Sequence, residues 1–221
     1  MKVSDAHRQL IFWFALSLQA IGACIYFVLA DGSGYANVFY GLTKGIMLLL
    51  PLLWISTGAK LPKVFAWTER WWIGLLIGLG FIGLLLGGYW LFADIVAGGQ
   101  DAIVAKIRDF HIGSFILFAA LFSVMHSLFE EYYWRWFVLG AGKSIVGSSA
   151  VLISSIAFGL HHIVILSQLF PLWFALTGGI ITMLAGWIWC GMTIKTNSIL
   201  PAWISHFFAD AAIMSIAFTL V

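Results

Sequence analysis

The sequence predicts an all-α fold, a polytopic transmembrane helix bundle with about seven spanning helices. Hydrophobic residues make up 62% of the 221 residues and charged residues only 9%, whereas about a quarter of a soluble domain is charged. The mean hydropathy is +1.03. Long apolar stretches recur along the chain, each near the roughly 20 residues that a helix needs to cross a bilayer. These observations exclude a soluble domain, and a net charge of +2 is too small to indicate a nucleic-acid partner.

Seven apolar stretches define the predicted helices. They lie near residues 9–30, 36–57, 71–93, 112–139, 145–166, 170–194 and 198–220. Backbone groups cannot stay unpaired in lipid, and stretches this long cannot be strands of a barrel, so each is predicted to be a helix. Because no internal repeat and no long linker divides the chain, we expect a single integral-membrane domain over residues 1–221.

The basic residues near the helix ends indicate an orientation in the membrane. One side would hold Lys2, Arg8, Lys60, Lys63, Arg70, Lys143 and Lys195, and the other side Lys106 and Arg108. Cytoplasmic loops carry an excess of Lys and Arg, so we expect a cell-membrane protein whose amino terminus is cytoplasmic. The longest loop, residues 98–111, could form a short interfacial helix or a plain solvated connection.

Glycines in the third predicted helix repeat at a spacing of four residues. Gly74 and Gly78 form one such pair, and Gly83 and Gly87 form another. Small residues at this spacing let two helix backbones approach closely, so we interpret both pairs as packing sites.

Two adjacent carboxylates and an arginine interrupt the fourth predicted helix, in the stretch "LFEEYYWRWF" at residues 128–137. Inserting a charged side chain such as Asp or Arg near a helix centre costs about 2.5–3.5 kcal/mol, whereas each Leu, Ile, Phe or Val returns only about 0.3–0.6 kcal/mol. Residues this costly indicate a functional site that faces the bundle interior or a wet cavity. The alternative is a buried ion pair that only fixes helix packing.

Helical spacing separates the two carboxylates. Glu131 and Arg135 are four residues apart and share one face, in the order that favours an ion pair. Glu130 points about 100° away, where its neighbours one turn along are His126 and Trp134 and not Lys or Arg. This predicts a structural pair between Glu131 and Arg135 and leaves Glu130 as the candidate general base.

Two later helices also contain polar residues. His161 and His162 lie in the fifth helix, where a lone histidine is more typical of a satisfied core residue. In the seventh helix His206 and Asp210 are four residues apart, so the carboxylate can hydrogen-bond and orient the imidazole. The alternative is a self-satisfied pair that packs two helices.

Three motifs follow one another along the second half of the chain. Residues 130–135 read EExxxR, residues 158–162 read FxxxH, and residues 206–210 read HxxxD. This pattern resembles the CAAX-type prenyl protease and bacteriocin-processing family of intramembrane endopeptidases, also called the Abi family. The resemblance covers residues 112–215, the expected catalytic core, whereas the first three helices match only as generic spanning segments.

The resemblance implies hydrolysis of a peptide bond inside the membrane. It makes Glu130 the base that activates water, helped by His162, with His206 donating to the oxyanion of the tetrahedral intermediate. Glu131 and Arg135 would hold the site in shape. The chemistry agrees, because amide hydrolysis needs a positioned water, a base and donors aimed at developing negative charge.

Position 210 departs from the family pattern, because Asp210 stands where Asn is more usual. An amide can donate to an oxyanion and an ionised carboxylate cannot, so Asp210 is expected to orient His206 instead. His126 and His161 lie off the motifs and are interpreted as structural, with His126 as a neighbour of Glu130.

A metal-free glutamate mechanism is favoured, because the resemblance points to it and the chain lacks the compact HExxH form. No cofactor is then needed. The same residues could also form a zinc site with Glu130, His162 and His206 as ligands and a fourth position open for water.

The expected substrate is a membrane-associated protein or peptide, such as a CAAX protein, a leader peptide or a sorting peptide. Two other functions stay open at this point. A non-catalytic immunity or scaffold protein could share the fold, because fold does not settle function. A small proton-coupled transporter could also use buried Glu, Asp and His, although the paired repeats of many transporters are absent.

Overall fold

A computed structural model describes residues 5–29, 33–108 and 113–221. Its elements are α1 (Asp5–Cys24), a π-helical turn (Ile25–Leu29), α2 (Gly34–Ser56), α3 (Trp71–Leu91), α4 (Ala93–Gly98), α5 (Gln100–Arg108), α6 (Phe115–Glu131), a π-helical segment (Tyr132–Val138), α7 (Leu139–Ile145), a 3₁₀ turn (Gly147–Ser149), α8 (Ala150–Ser167), α9 (Leu172–Thr196) and α10 (Leu200–Phe218). These described residues contain no strand, so the predicted all-α class is confirmed.

Seven helical spans in the described part of the chain are long and apolar enough to cross a membrane. They are Asp5–Leu29, Gly34–Ser56, Trp71–Leu91, Phe115–Ile145, Gly147–Ser167, Leu172–Thr196 and Leu200–Phe218. The chain is therefore an integral membrane protein, as the apolar stretches predicted. The fourth span runs further than expected, so Lys143 lies in its last turn and not in a loop. Lys2 lies outside the described residues, and the orientation stays a prediction.

Much of the longest predicted loop is helical, which is one of the two alternatives predicted for it. Residues 93–108 form α4 and α5, and α5 contains no buried residue. Asp101 lies in the first turn of α5, and Lys106 and Arg108 lie in its last turn. Acidic residues near the amino end and basic residues near the carboxyl end complement the helix dipole. Residues 109–111 of this loop lie outside the described residues.

The chain falls into two compact units. The first unit comprises Met1–Lys63, Tyr133–Gln168 and Leu172–Gly191, and the second unit comprises Val64–Tyr132, Leu169–Pro171 and Met192–Val221. The single domain expected over residues 1–221 stays a prediction.

Close packing between α3 and α10 organises the second unit. A Cβ on Gly74 would collide with the backbone of Pro201, and a Cβ on Gly78 would lie 2.7 Å from the ring of Phe208. Gly74 and Gly78 therefore form a packing site, as predicted. The other pair, Gly83 and Gly87, has no heavy atom within 4 Å of such a Cβ among the described residues, so close packing there is not observed.

The entry to α10 is fixed by hydrogen bonds within the same unit. Ile199 donates its backbone N–H to Val64 O at 2.9 Å, and Ser198 Oγ donates to Ala66 O at 2.5 Å. Pro201 lies in the first turn, where its missing N–H leaves no helical bond unmade. Further along, Trp203 Nε1 donates to Val124 O of α6 at 3.3 Å. These contacts set the face that α10 turns toward α6.

In the first unit, the π-helical segment is anchored on α1. Tyr133 donates its hydroxyl to Ala15 O at 2.8 Å, and Trp134 Nε1 donates to Gln19 Oε1. Both aromatic side chains are buried. Each of these polar groups thus has a partner, as burial in an apolar bundle requires.

Candidate active site

Five titratable side chains meet between α6 and α10 of the second unit. His126, Glu130 and Glu131 come from α6, and His206 and Asp210 come from α10. Both glutamates have no exposed surface, and His206 and Asp210 are 3% and 4% exposed. The side chain of His126 is 21% exposed, so it is the most accessible member of the group.

Glu131 holds the imidazole of His206. His206 donates from Nδ1 to Glu131 Oε1 at 2.8 Å. The other ring nitrogen, Nε2, lies 3.8 Å from Glu130 Oε2 and 3.7 Å from Asp210 Oδ1. Those two distances are too long for hydrogen bonds. His206 is thus fixed through one nitrogen, while the other faces the space between two carboxylates.

The expected hydrogen bond in which Asp210 accepts from His206 is therefore wrong. The spacing along α10 does put both side chains on one face. Asp210 Oδ1 and His206 Nε2 are 3.7 Å apart, which allows an electrostatic interaction but not a hydrogen bond. Asp210 Oδ2 instead accepts from His126 Nδ1 of α6 at 3.1 Å. The orienting carboxylate of His206 comes from a different helix, a contact that spacing along α10 could not reveal.

Glu130 lies between two imidazoles of this unit, those of His126 and His206. Its Oε1 is 3.6 Å from His126 Nε2, one helical turn earlier, and its Oε2 is 3.8 Å from His206 Nε2. The prediction that His126 and Glu130 are neighbours one turn apart in α6 is confirmed. Neither distance is short enough for a hydrogen bond. An ionised carboxylate at this position can act as a proton acceptor.

The predicted ion pair of Glu131 with Arg135 spans a change of helix type. α6 ends at Glu131, and the π-helical segment begins at Tyr132, so the spacing used for the prediction does not hold there. Arg135 belongs to the first unit. The pair stays a prediction.

Within the first unit, Arg135 is enclosed by aromatic rings. Its guanidinium carbon lies 4.4 Å from the ring centroid of Phe158 and 5.0 Å from that of Trp189. A Cβ on Gly186 would lie 3.3 Å from Arg135 Nη2, so a glycine is what fits beside the guanidinium. Cation–π contacts of this kind are strongest where water is excluded, and Arg135 is 1% exposed.

His162 is held by its own helix. Its Nδ1 lies 2.9 Å from the carbonyl oxygen of Phe158. Because a carbonyl only accepts, Nδ1 is the donor and carries the proton of the neutral ring. The FxxxH spacing therefore fixes the tautomer as well as the face. His161 stacks on Trp134 with centroids 5.8 Å apart and is 1% exposed.

The six predicted site residues divide between the units. Glu130, Glu131, His206 and Asp210 meet in the second unit, and Arg135 and His162 lie in the first. His126 was expected to be structural, yet it contacts both Glu130 and Asp210. Its spacing from Glu130 indicated the first contact, whereas the contact with Asp210 depends on how α6 packs against α10.

Part of the cluster could hold a metal ion. His126, His206 and Asp210 each offer a ligand atom, and these atoms lie within 4.8 Å of one another. Two imidazoles and a carboxylate suit zinc. This set shares only His206 with the ligands expected from sequence, which were Glu130, His162 and His206.

Comparison with known proteins addresses the same part of the chain. A family model described as Type II CAAX prenyl endopeptidase Rce1-like matches residues 112–212. The match covers less than half of the 221 residues, and over residues 112–212 the chain is similar to that family. The resemblance drawn from the three motifs is thereby confirmed. Neither the search of curated proteins nor the search of solved structures found a match.

The similarity to this family supports a protease activity. It also implies a membrane-associated protein as substrate. The matched range includes the five-residue cluster of the second unit together with Arg135 and His162. The helices before residue 112 lie outside the match.

Proposed function

We propose that the chain is an intramembrane endopeptidase that cleaves a peptide bond with a water molecule activated by Glu130. The observation that supports this most directly is the position of Glu130, fully buried and 3.6–3.8 Å from the ring nitrogens of His126 and His206. Burying a carboxylate in a membrane span costs free energy, and a catalytic role best explains a residue retained at this cost.

In the proposed reaction, the Glu130 carboxylate accepts a proton from water as the water oxygen bonds to the scissile carbonyl carbon. The carbonyl electron pair moves onto oxygen and forms the tetrahedral oxyanion. When the intermediate collapses, the C–N bond breaks and the proton held by Glu130 passes to the leaving amine. The products are a carboxylic acid and an amine, and Glu130 returns to its ionised form.

His206 is proposed to donate to the oxyanion from Nε2. Because Nδ1 already donates to Glu131, Nε2 holds a proton when the imidazole is cationic. The neighbouring carboxylates of Glu130 and Glu131 supply the counter-charge that such a buried cation requires. A donor fixed in advance toward developing charge accelerates acyl chemistry by about 10²–10³-fold.

His162 and Arg135 are assigned roles from the family resemblance. His162 would assist Glu130, and the proton of its neutral ring is held on Nδ1, which donates to Phe158 O. Arg135 would maintain the shape of the site from its aromatic surroundings of Phe158 and Trp189.

The proposed mechanism uses no metal. Metal analysis and chelation test this directly: purified active protein should contain no stoichiometric zinc and should keep its activity after treatment with EDTA. Stoichiometric zinc together with loss of activity on chelation, and recovery when zinc is added back, would establish the zinc alternative instead.

The substrate is proposed to be a membrane-bound protein or peptide of the CAAX, leader or sorting type. We place the protein in the cell membrane with a cytoplasmic amino terminus, because basic residues dominate one set of helix ends. Reporter fusions to each terminus test this topology.

Comparing the termini of membrane proteins tests the function. Cells would contain the wild type, Glu130→Gln, or Glu69→Gln, which changes an exposed carboxylate and serves as the matched control. We expect a new terminus with the wild type and the control but not with Glu130→Gln. If Glu130→Gln inserts normally and leaves both termini and phenotype unchanged, a non-catalytic immunity or scaffold role is supported. Proton-coupled uptake in liposomes without any cleavage would support a transporter.

A further inference from the structure

We propose that His126 is a positioning residue, required because position 210 holds a carboxylate. It would bind Asp210 and keep that negative charge away from the oxyanion formed beside His206. This inference rests on the proposed function. It adds a residue outside the EExxxR, FxxxH and HxxxD motifs.

The position of Asp210 next to His206 is the reason that a positioning residue is required. Its Oδ1 lies 3.7 Å from His206 Nε2, the nitrogen proposed to face the oxyanion. Glu130 and Glu131 already supply two carboxylates around the same imidazole. An additional ionised carboxylate opposes a step that creates negative charge nearby, unless a hydrogen-bond donor stabilises the charge of that carboxylate.

His126 is the donor that meets this requirement. Its Nδ1 lies 3.1 Å from Asp210 Oδ2, and an ionised carboxylate only accepts, so the proton is on Nδ1. Two contacts of the Asp210 carboxylate involve imidazoles, at 3.1 Å from His126 Nδ1 and at 3.7 Å from His206 Nε2. Of these two, only His126 is within hydrogen-bond distance.

The ring of His126 is itself held in place. It stacks on Phe122, one turn earlier in α6, with centroids 4.4 Å apart and an interplanar angle of 11°. This fixes the ring plane, so that Nδ1 points to Asp210 while Nε2 lies 3.6 Å from Glu130 Oε1. One imidazole thereby contacts the proposed base and the extra carboxylate.

A purely structural role for His126 makes a different prediction. If the ring only fills space between α6 and α10, replacing it has the same effect whatever residue occupies position 210. If it acts by donating to a carboxylate, its importance disappears when position 210 is an amide. A double-mutant cycle separates the two, because it measures the interaction and not the cost of either change alone.

The experiment compares the wild type, His126→Phe, Asp210→Asn and the double variant, each as the full chain in membranes. The readout is the rate at which the Glu130-dependent terminus appears. His126→Phe should lower this rate about tenfold or more with Asp210, and less than about threefold in the Asp210→Asn background. His126→Gln, which keeps an N–H donor, should recover much of the loss with Asp210.

Met125→Ala is the matched control, because Met125 adjoins His126 in α6 and is 59% exposed. It should leave the rate unchanged. Equal losses from His126→Phe in both backgrounds, or no recovery with His126→Gln, would overturn the inference while leaving the proposed function intact. If no terminus depends on Glu130, the proposed function itself fails, and the role of His126 falls with it.

Discussion

His206 Nδ1 and Glu131 Oε1 lie 2.8 Å apart, in a hydrogen bond that joins α10 to α6. The second carboxylate of the EExxxR motif therefore orients a histidine of another motif. This bond leaves His206 Nε2 directed toward Glu130 and Asp210. The two adjacent glutamates thus have different surroundings, with Glu131 engaged in a short hydrogen bond and Glu130 next to two ring nitrogens.

Replacing Glu131 should reduce catalysis through His206. We expect Glu131→Ala to lower kcat about 10–100-fold, because the imidazole loses both its orientation and its counter-charge. Glu131→Gln should lose less, because an amide oxygen can still accept from Nδ1. KM should change little, and Glu69→Ala serves as the exposed control. A Glu131→Ala enzyme with wild-type kcat would contradict this role.

Replacing Arg135 by lysine should destabilise the protein. Its planar guanidinium lies over two rings, those of Phe158 and Trp189, which a compact ammonium cannot match. Arg135→Lys should lower the free energy of unfolding by about 1–2 kcal/mol. Thermal unfolding in detergent measures this, with exposed Arg70→Lys as the control. Equal melting temperatures for the two variants would show that the aromatic surroundings contribute nothing specific.

Helix approach in the second unit should depend on one glycine pair and not on the other. Gly74→Ala should destabilise the protein by about 1–3 kcal/mol, because the new Cβ would push α3 away from Pro201. Gly83→Ala, in the same helix but facing open space, should be neutral or stabilising. Thermal unfolding of both variants is the test, and a Gly74→Ala protein as stable as Gly83→Ala would contradict the packing.

Sequence predicted the helices well because their length and apolar character follow directly from the bilayer. It also predicted that Glu130 and His126 share a face, since both lie in one regular α-helix. It failed for Asp210, whose hydrogen-bond partner depends on the rotation of α10 against α6. The π-helical segment after Glu131 was not predicted either, because its apolar residues fit an α-helical span equally well. The residues that share a face of one helix could thus be predicted, whereas the hydrogen-bond partners supplied by another helix could not.

The rate of Glu130→Gln tests the central claim most directly. Gln keeps the size of the side chain but cannot accept the proton of water as a carboxylate does. On the substrate identified from membrane-protein termini, purified Glu130→Gln should cleave about 10²–10⁴-fold more slowly than the wild type. Glu69→Gln, purified and folded in the same way, should retain the wild-type rate. Cleavage by Glu130→Gln at the wild-type rate would contradict the proposal that Glu130 activates water.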